Sequence, residues 1–133
     1  MSILLKNATI VDHKSNLDFK SKDILIDDGV IVDIADNIKT KASNSISLEN
    51  LHVSSGWMDT SVCFGEPGFE ERETILNGLE TAASSGFTSI LLNPNCDPPI
   101  DSHSSVEFLK RKSVSTTTQI YPIGSLTNNS SGN

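Results

Sequence analysis

Over the first 55 residues apolar and polar positions alternate in short runs, the period of strands rather than of helices. Ile3 to Val11 is apolar and broken by Lys6-Asn7, while Asp23-Ile24-Leu25-Ile26-Asp27 and Val30-Ile31-Val32-Asp33-Ile34 flank Asp28-Gly29. An Asp-Gly pair between β-branched runs is the strongest short-range hairpin signal, because both residues tolerate the positive φ that a tight hairpin turn demands. Ile46 to Val53 reads as a last strand, reached through the polar stretch Lys39 to Asn44. Residues 1–55 are expected to form a small, mostly antiparallel β unit.

The period changes at Gly56. Trp57 to Phe64 reads as a short strand, and Glu66-Pro67-Gly68 as a turn in which proline presets φ and glycine admits a positive one. Ile75, Leu79, Ala82 and Ala83 fall at i, i+4, i+7 and i+8 of the segment Thr74 to Ser85, the stripe of an amphipathic helix, and Gly86 is its expected stop. Phe87 to Asn93 is nearly continuous in apolar residues, as in a strand buried on both faces of a parallel sheet. Pro94, Pro98 and Pro99 punctuate a loop. Asp101 to Lys112 reads as a second helix with a capping box in Ser104-Ser105-Val106-Glu107, and Gln119 to Gly124 as a third strand. Thr127 to Asn133 trails off in Thr, Asn, Ser and Gly. The order β-α-β-α-β implies parallel strands, so the expected fold class is α/β over residues 56–133, after the β unit of residues 1–55. The last strand has an open edge, which the remainder of the same sheet or a second chain is expected to cover.

Composition narrows the partners. Ten Lys and Arg against 17 Asp and Glu leave a formal charge of −7, so a phosphate backbone or an anionic membrane finds little cationic surface to bind. No apolar run approaches the roughly 18 residues of a membrane span. At 133 residues the chain is too short for a closed (β/α)8 barrel of about 250 residues. Two cysteines and no charged-then-apolar leader point to a cytoplasmic, reducing location.

Candidate chemistry concentrates at the carboxyl ends of the parallel strands, where sites in such folds lie. Those ends carry Asp59-Thr60-Ser61-Val62-Cys63-Phe64-Gly65-Glu66-Pro67-Gly68 and Asn93-Pro94-Asn95-Cys96-Asp97-Pro98-Pro99. Strand alternation predicts that Asp59, Ser61 and Cys63 share one face. Cys63 and Cys96 end neighbouring strands and are expected near each other, as inert buried thiols rather than as a metal or redox pair. His13, His52 and His103 have no partner at i, i+2 or i, i+4 and read as solvated or core-edge histidines. Glu70, Glu71 and Glu73 precede the first helix and Lys110-Arg111-Lys112 close the second, positions that the helix dipoles explain.

Gly56-x-x-Asp59, Phe64-x-Glu66-Pro67-Gly68-Phe69-Glu70, Glu73-Thr74-Ile75-x-x-Gly78, Gly86-Phe87-Thr88, Pro94-Asn95-x-x-Pro98-Pro99-Ile100-Asp101-Ser102 and Tyr121-Pro122-Ile123-Gly124 together resemble the dihydroorotases of the amidohydrolase superfamily. The resemblance covers about residues 50 to 127. It implies the N-terminal portion of a metal-dependent (β/α)8 TIM barrel, preceded by part of a small β-sandwich domain, in a family that interconverts dihydroorotate and carbamoyl aspartate in pyrimidine synthesis. It also implies that Asn95 keeps a substrate-binding position and Asp59 an acidic one.

The chain departs from that pattern where the chemistry lies. The resemblance places two metal-binding histidines, one residue apart, where this sequence has Ser61 and Cys63, and a substrate-pairing arginine where it has Gly65. No catalytic residue, metal ligand or cofactor is therefore expected in this chain, although the family uses zinc. The expected function is a non-catalytic dihydroorotase-like protein, an association with aspartate carbamoyltransferase following by analogy and a homo-oligomer being expected. Two other readings stand beside it. One is an active cyclic amidohydrolase completed by residues beyond this chain, with Asp59 or Cys63 assisting. The other is a ureide-binding or structural partner protein using Asn95.

Overall fold

A computed structural model describes residues 1–132, and the chain divides into two compact units, Met1–Ser55 and Gly56–Asn133. In the first unit, β1 (Ser2–Val11) pairs antiparallel with β2 (Ser21–Asp27), which pairs antiparallel with β3 (Val30–Ala35). Asp28 (φ 46°) and Gly29 (φ 80°) both take positive φ in the β2–β3 turn, as the Asp-Gly signal requires.

Ile46 to Val53 is not one strand, and the unit is less antiparallel than expected. Two short strands, β4 (Asn44–Ile46) and β5 (His52–Ser54), each run parallel to β1. The reason lies in β1. Its register with β2 shifts between Leu5 and Ala8, with Asn7 at φ 54°, so its other edge offers two separate ladders: residues 3–5 to β4 and residues 9–11 to β5. Asn50, at φ 60°, lies in the segment that joins them. The core here is small, with Ala8, Ile10 and Ile24 at its centre.

The irregularity in β1 is held by a buried carboxylate. Asp23, 1% exposed, accepts the Asn7 N–H at 3.0 Å and the Ile38 N–H at 2.9 Å and pairs with the Lys6 ammonium. Burial pushes its pKa up, but the Lys6 ammonium and the two N–H donors together outweigh that and hold the carboxyl below its ordinary value.

In the second unit, β6 (Trp57–Val62), β7 (Phe87–Leu92) and β8 (Gln119–Pro122) form a parallel sheet in that order. The helix α1 (Ile75–Ser84) joins the first two strands and α2 (His103–Lys112) the second two, a mixed α/β arrangement. Thr74 caps α1 by accepting the Asn77 N–H, and Gly86 ends it at φ 89°. The capping box of α2 is Ser102 with Ser105, not Ser104 with Glu107: each hydroxyl accepts the other residue's backbone N–H. Ile75 and Leu79 of α1 and Leu109 of α2 pack on Ile90, Leu92 and Ile120 of the sheet. The strand β7 is not buried fully on both faces: Ile90 and Leu92 are closed off, the alternate Ser89 and Leu91 are half-buried, and Thr88 near its start is exposed.

The Asp23 cluster predicts a pH signature. A depressed folded pKa contributes stability that is complete above the ordinary value of 3.8 and is lost as pH falls through the folded value. Asp23→Ala strands two N–H groups and an ammonium, at a cost of about 2–3 kcal/mol near neutral pH. Urea titrations at pH 7 and pH 3 are expected to show this gap narrowing in acid; equal gaps at both pH values would refute the assignment.

Candidate functional site

Between β6 and β7 the ladder pairs Asp59 with Ile90 and Val62 with Leu92, so three steps on β6 oppose two on β7. That bulge overturns the expected common face of Asp59, Ser61 and Cys63. Paired residues project to the same side of a sheet, so Asp59 goes with Ile90 and Val62 toward α1. There it lines a cavity of about 220 Å³ with Val62, Ala82 and Ile90. The Asp59 carboxylate also accepts the Ser61 N–H at 3.0 Å, a local turn that closes the bulge.

Ser61 and Cys63 instead meet Asn93. The Asn93 N–H donates to the Val62 carbonyl at 2.8 Å, extending the contact between the strands past the end of β7. Its side-chain amide then donates to Ser61 Oγ at 3.1 Å and to Cys63 Sγ at 3.5 Å. Asn93 lies in the strand-end stretch that the sequence marks out but has no role assigned there; the signal for one is a polar residue closing an apolar strand at the sheet's carboxyl end. Asn95, two residues on, is exposed and makes no side-chain hydrogen bond among the described residues.

The two cysteines do not pair. Cys63 is exposed beside Asn93, whereas Cys96 packs on the apolar core and donates to the Pro98 carbonyl at 3.3 Å. Burial pushes the Cys96 thiol up in pKa.

The loops after β6 and β7 are joined. Asp97 N–H donates to the Pro67 carbonyl at 2.9 Å, and a Cβ on Gly68 (φ +97°) would stand 2.2 Å from the Asp97 carbonyl oxygen. Gly65 is buried at φ +120°, and a Cβ there would stand 2.5 Å from the Phe69 carbonyl oxygen. No L side chain fits that backbone without strain.

Glu66 is the carboxylate that reaches α1, a role sequence had assigned to Glu70, Glu71 and Glu73. It accepts the Ile75 N–H at 2.7 Å and the Lys112 ammonium at 3.1 Å. It thereby joins the start of one helix to the end of the other. Lys112 is 46 residues away, so no local pattern announces the contact. Glu70 turns back to the Gly68 N–H, which holds its carboxyl below the usual range, and Glu73 accepts from Thr74 N–H and the Asn77 amide. The acidic residues nearest α1 thus stay in the loop before it, and its first turn contains none.

His13 and His103 are exposed, and His52 shares a hydrogen bond with the Asn50 carbonyl. Among the described residues no three His, Cys, Asp or Glu side chains converge on a point that would hold a metal ion. No helix is long and apolar enough to cross a membrane.

Over 99% of its length the chain is 38% identical to a dihydroorotase of Caldanaerobacter subterraneus subsp. tengcongensis and 35% identical to a dihydroorotase of Pelotomaculum thermopropionicum. The chain is a homologue of the dihydroorotases. It spans about 30% of the length of these curated relatives, covering 30% of the first and 31% of the second. No family model matches it. Among solved structures, an L-hydantoinase (dihydropyrimidinase) from Arthrobacter aurescens superimposes with a TM-score of 0.79 at 22% identity, over 96% of this chain and 28% of that one, which is a likeness of fold.

Two measurements check the geometry of this dihydroorotase homologue. Gly65→Ala is expected to destabilise the protein by about 1–3 kcal/mol, since it adds strain where φ is positive, whereas Gly124→Ala, with the nearest atom 3.8 Å from its Cβ, is expected to be near neutral. Equal melting temperatures for the two variants would contradict the backbone described. Iodoacetamide is expected to label Cys63 well before Cys96 by peptide mass spectrometry, because exposure favours the first thiol and burial disfavours the second thiolate. Labelling at one rate would sink that distinction.

Proposed function

We propose that this dihydroorotase homologue is non-catalytic at its strand-end site. In this reading residues 56–133 are the opening β-α-β-α-β units of a (β/α)8 barrel and residues 1–55 part of a β-sandwich. Ser61 and Cys63 then stand where the resemblance places metal-binding imidazoles, and Gly65 where it places a guanidinium.

The observation that supports it is the Asn93 amide. A zinc site needs lone pairs converging at about 2.0–2.3 Å. Here an NH2 group lies between the two first-strand side chains and donates to both, at 3.1 Å and 3.5 Å. A neutral hydroxyl, one thiol and an amide donor make a poor donor set for a divalent ion, so the residues present do not fit the family's zinc. Gly65 adds a second reason. Its backbone leaves no room for a cationic side chain, so the charge-assisted pair with an acidic substrate, worth about 1.5–3 kcal/mol, has no donor at that position.

The test is elemental analysis of the intact protein together with a carbamoyl-aspartate assay. The expected result is zinc far below stoichiometric and no cyclisation above the rate in buffer. Stoichiometric zinc with turnover that falls on Cys63→Ala would establish the opposite reading, an active amidohydrolase.

A further inference from the structure

The two loops joined by the Asp97 N–H and the Pro67 carbonyl meet α2 around a cavity of about 250 Å³. Its walls are Pro67 from the first loop, Pro98 and Ile100 from the second, and Ser105, Phe108 and Leu109 from α2. None of these residues belongs to a strand, so pairing along either free edge of the parallel sheet leaves the lining as it is. The walls are apolar. Ser105 supplies the one polar side chain, and its hydroxyl is spent: it accepts the Ser102 N–H at 3.2 Å and donates to the Ser102 carbonyl at 2.9 Å. An apolar cavity of about 150 Å³ already takes benzene, so this one has room for a single ring with a short chain.

Charge at the mouth selects among ring-bearing ligands. The cations nearby are all answered. Lys112 lies 5.4 Å above the Phe108 ring but is bound to Glu66 at 3.1 Å, and Lys110 pairs with Glu107 at 3.4 Å. Arg72 sits over the Phe69 ring, 3.9 Å from Glu71. Two carboxylates have no cation. Asp101 accepts the Asn129 N–H at 2.9 Å, and Asp97 is exposed, with no hydrogen bond or ion pair to its carboxylate among the described residues. A Cβ on Gly68 would stand 2.7 Å from the Asp97 Cβ, which puts Asp97 at the seam where the Pro67 and Pro98 walls meet. A positive charge held there is attracted and a negative one repelled.

We propose that this cavity binds a small organic cation, an apolar ring carrying an ammonium group on a short chain, with the ring against Phe108 and Leu109 and the ammonium at Asp97. The site is separate from the group formed by Ser61, Cys63 and Asn93, and it stands whether or not that group holds a metal. A ligand seated there touches both loops and α2 at once, and so clamps the contact between Asp97 and Pro67.

Phenethylamine, 2-phenylethanol and phenylacetate share one ring and differ in charge, which makes them direct probes. Calorimetric titration of the intact protein at low salt is expected to rank them in that order, with the amine about tenfold tighter than the acid and the gap closing at high salt. Asp97→Asn removes the charge from a side chain that holds nothing in place; it is expected to leave the melting temperature unchanged and to bring the three compounds within about twofold of one another. Nuclear Overhauser contacts from the ring of bound phenethylamine to the Phe108 and Leu109 side chains are expected in the unaltered protein. The inference is overturned if phenylacetate binds as tightly as the amine, if the amine keeps its advantage in Asp97→Asn, if those contacts are missing, or if none of the three compounds binds saturably.

Discussion

Between Asp59 and Val62, β6 carries one residue more than the strand it pairs with, and the character of the strand-end site follows from that insertion. The extra residue turns Asp59 toward α1 while Ser61 and Cys63 meet Asn93. Asp59 stabilises the distortion itself by accepting the Ser61 N–H that the bulge takes out of the ladder. The carboxylate is thus consumed in holding the backbone, and the side chains left together are a hydroxyl, a thiol and an amide. A regular ladder would have put a carboxylate beside that hydroxyl and thiol, a more inviting environment for a cation.

The rim around these side chains is pre-organised by contacts that are distant in sequence. The Pro67 carbonyl and the Asp97 N–H join the two loops, and Gly68 lets their backbones approach. Glu66 then ties the first loop to both helices, satisfying an orphan N–H at the start of α1 and neutralising Lys112 at the end of α2. Gly78 lets the Phe64 ring lie directly on α1, since a Cβ there would stand 2.3 Å from it. Each of these contacts draws the β6–α1 loop inward. Together they explain why Gly65 sits in a backbone conformation that only glycine occupies without strain.

Local signals were legible wherever one residue type has one physical use. The Asp28-Gly29 turn, the α1 stripe with Gly86 at its end, and the alternation of strands and helices after Gly56 all appear in the structure. Reading failed where a partner far along the chain decided the outcome. The segment Ile46 to Val53 has the composition of a strand, yet the shift in β1 beside it splits its pairing in two. Ser104 and Ser102 are equally good caps by type, and the chain's entry into α2 selected Ser102.

The amino-acid order by itself determined which chemistry is available at the end of the first parallel strand: serine at 61, cysteine at 63 and glycine at 65. It also determined the succession of elements and the kinship with dihydroorotases. Only the tertiary structure decided that Asp59 leaves that group, that Asn93 joins it and that Glu66 braces it. The physical reason is that side-chain facing in a sheet depends on register, and register is a property of two strands at once. A bulge of one residue changes every facing beyond it and is invisible until the neighbouring strand is in place.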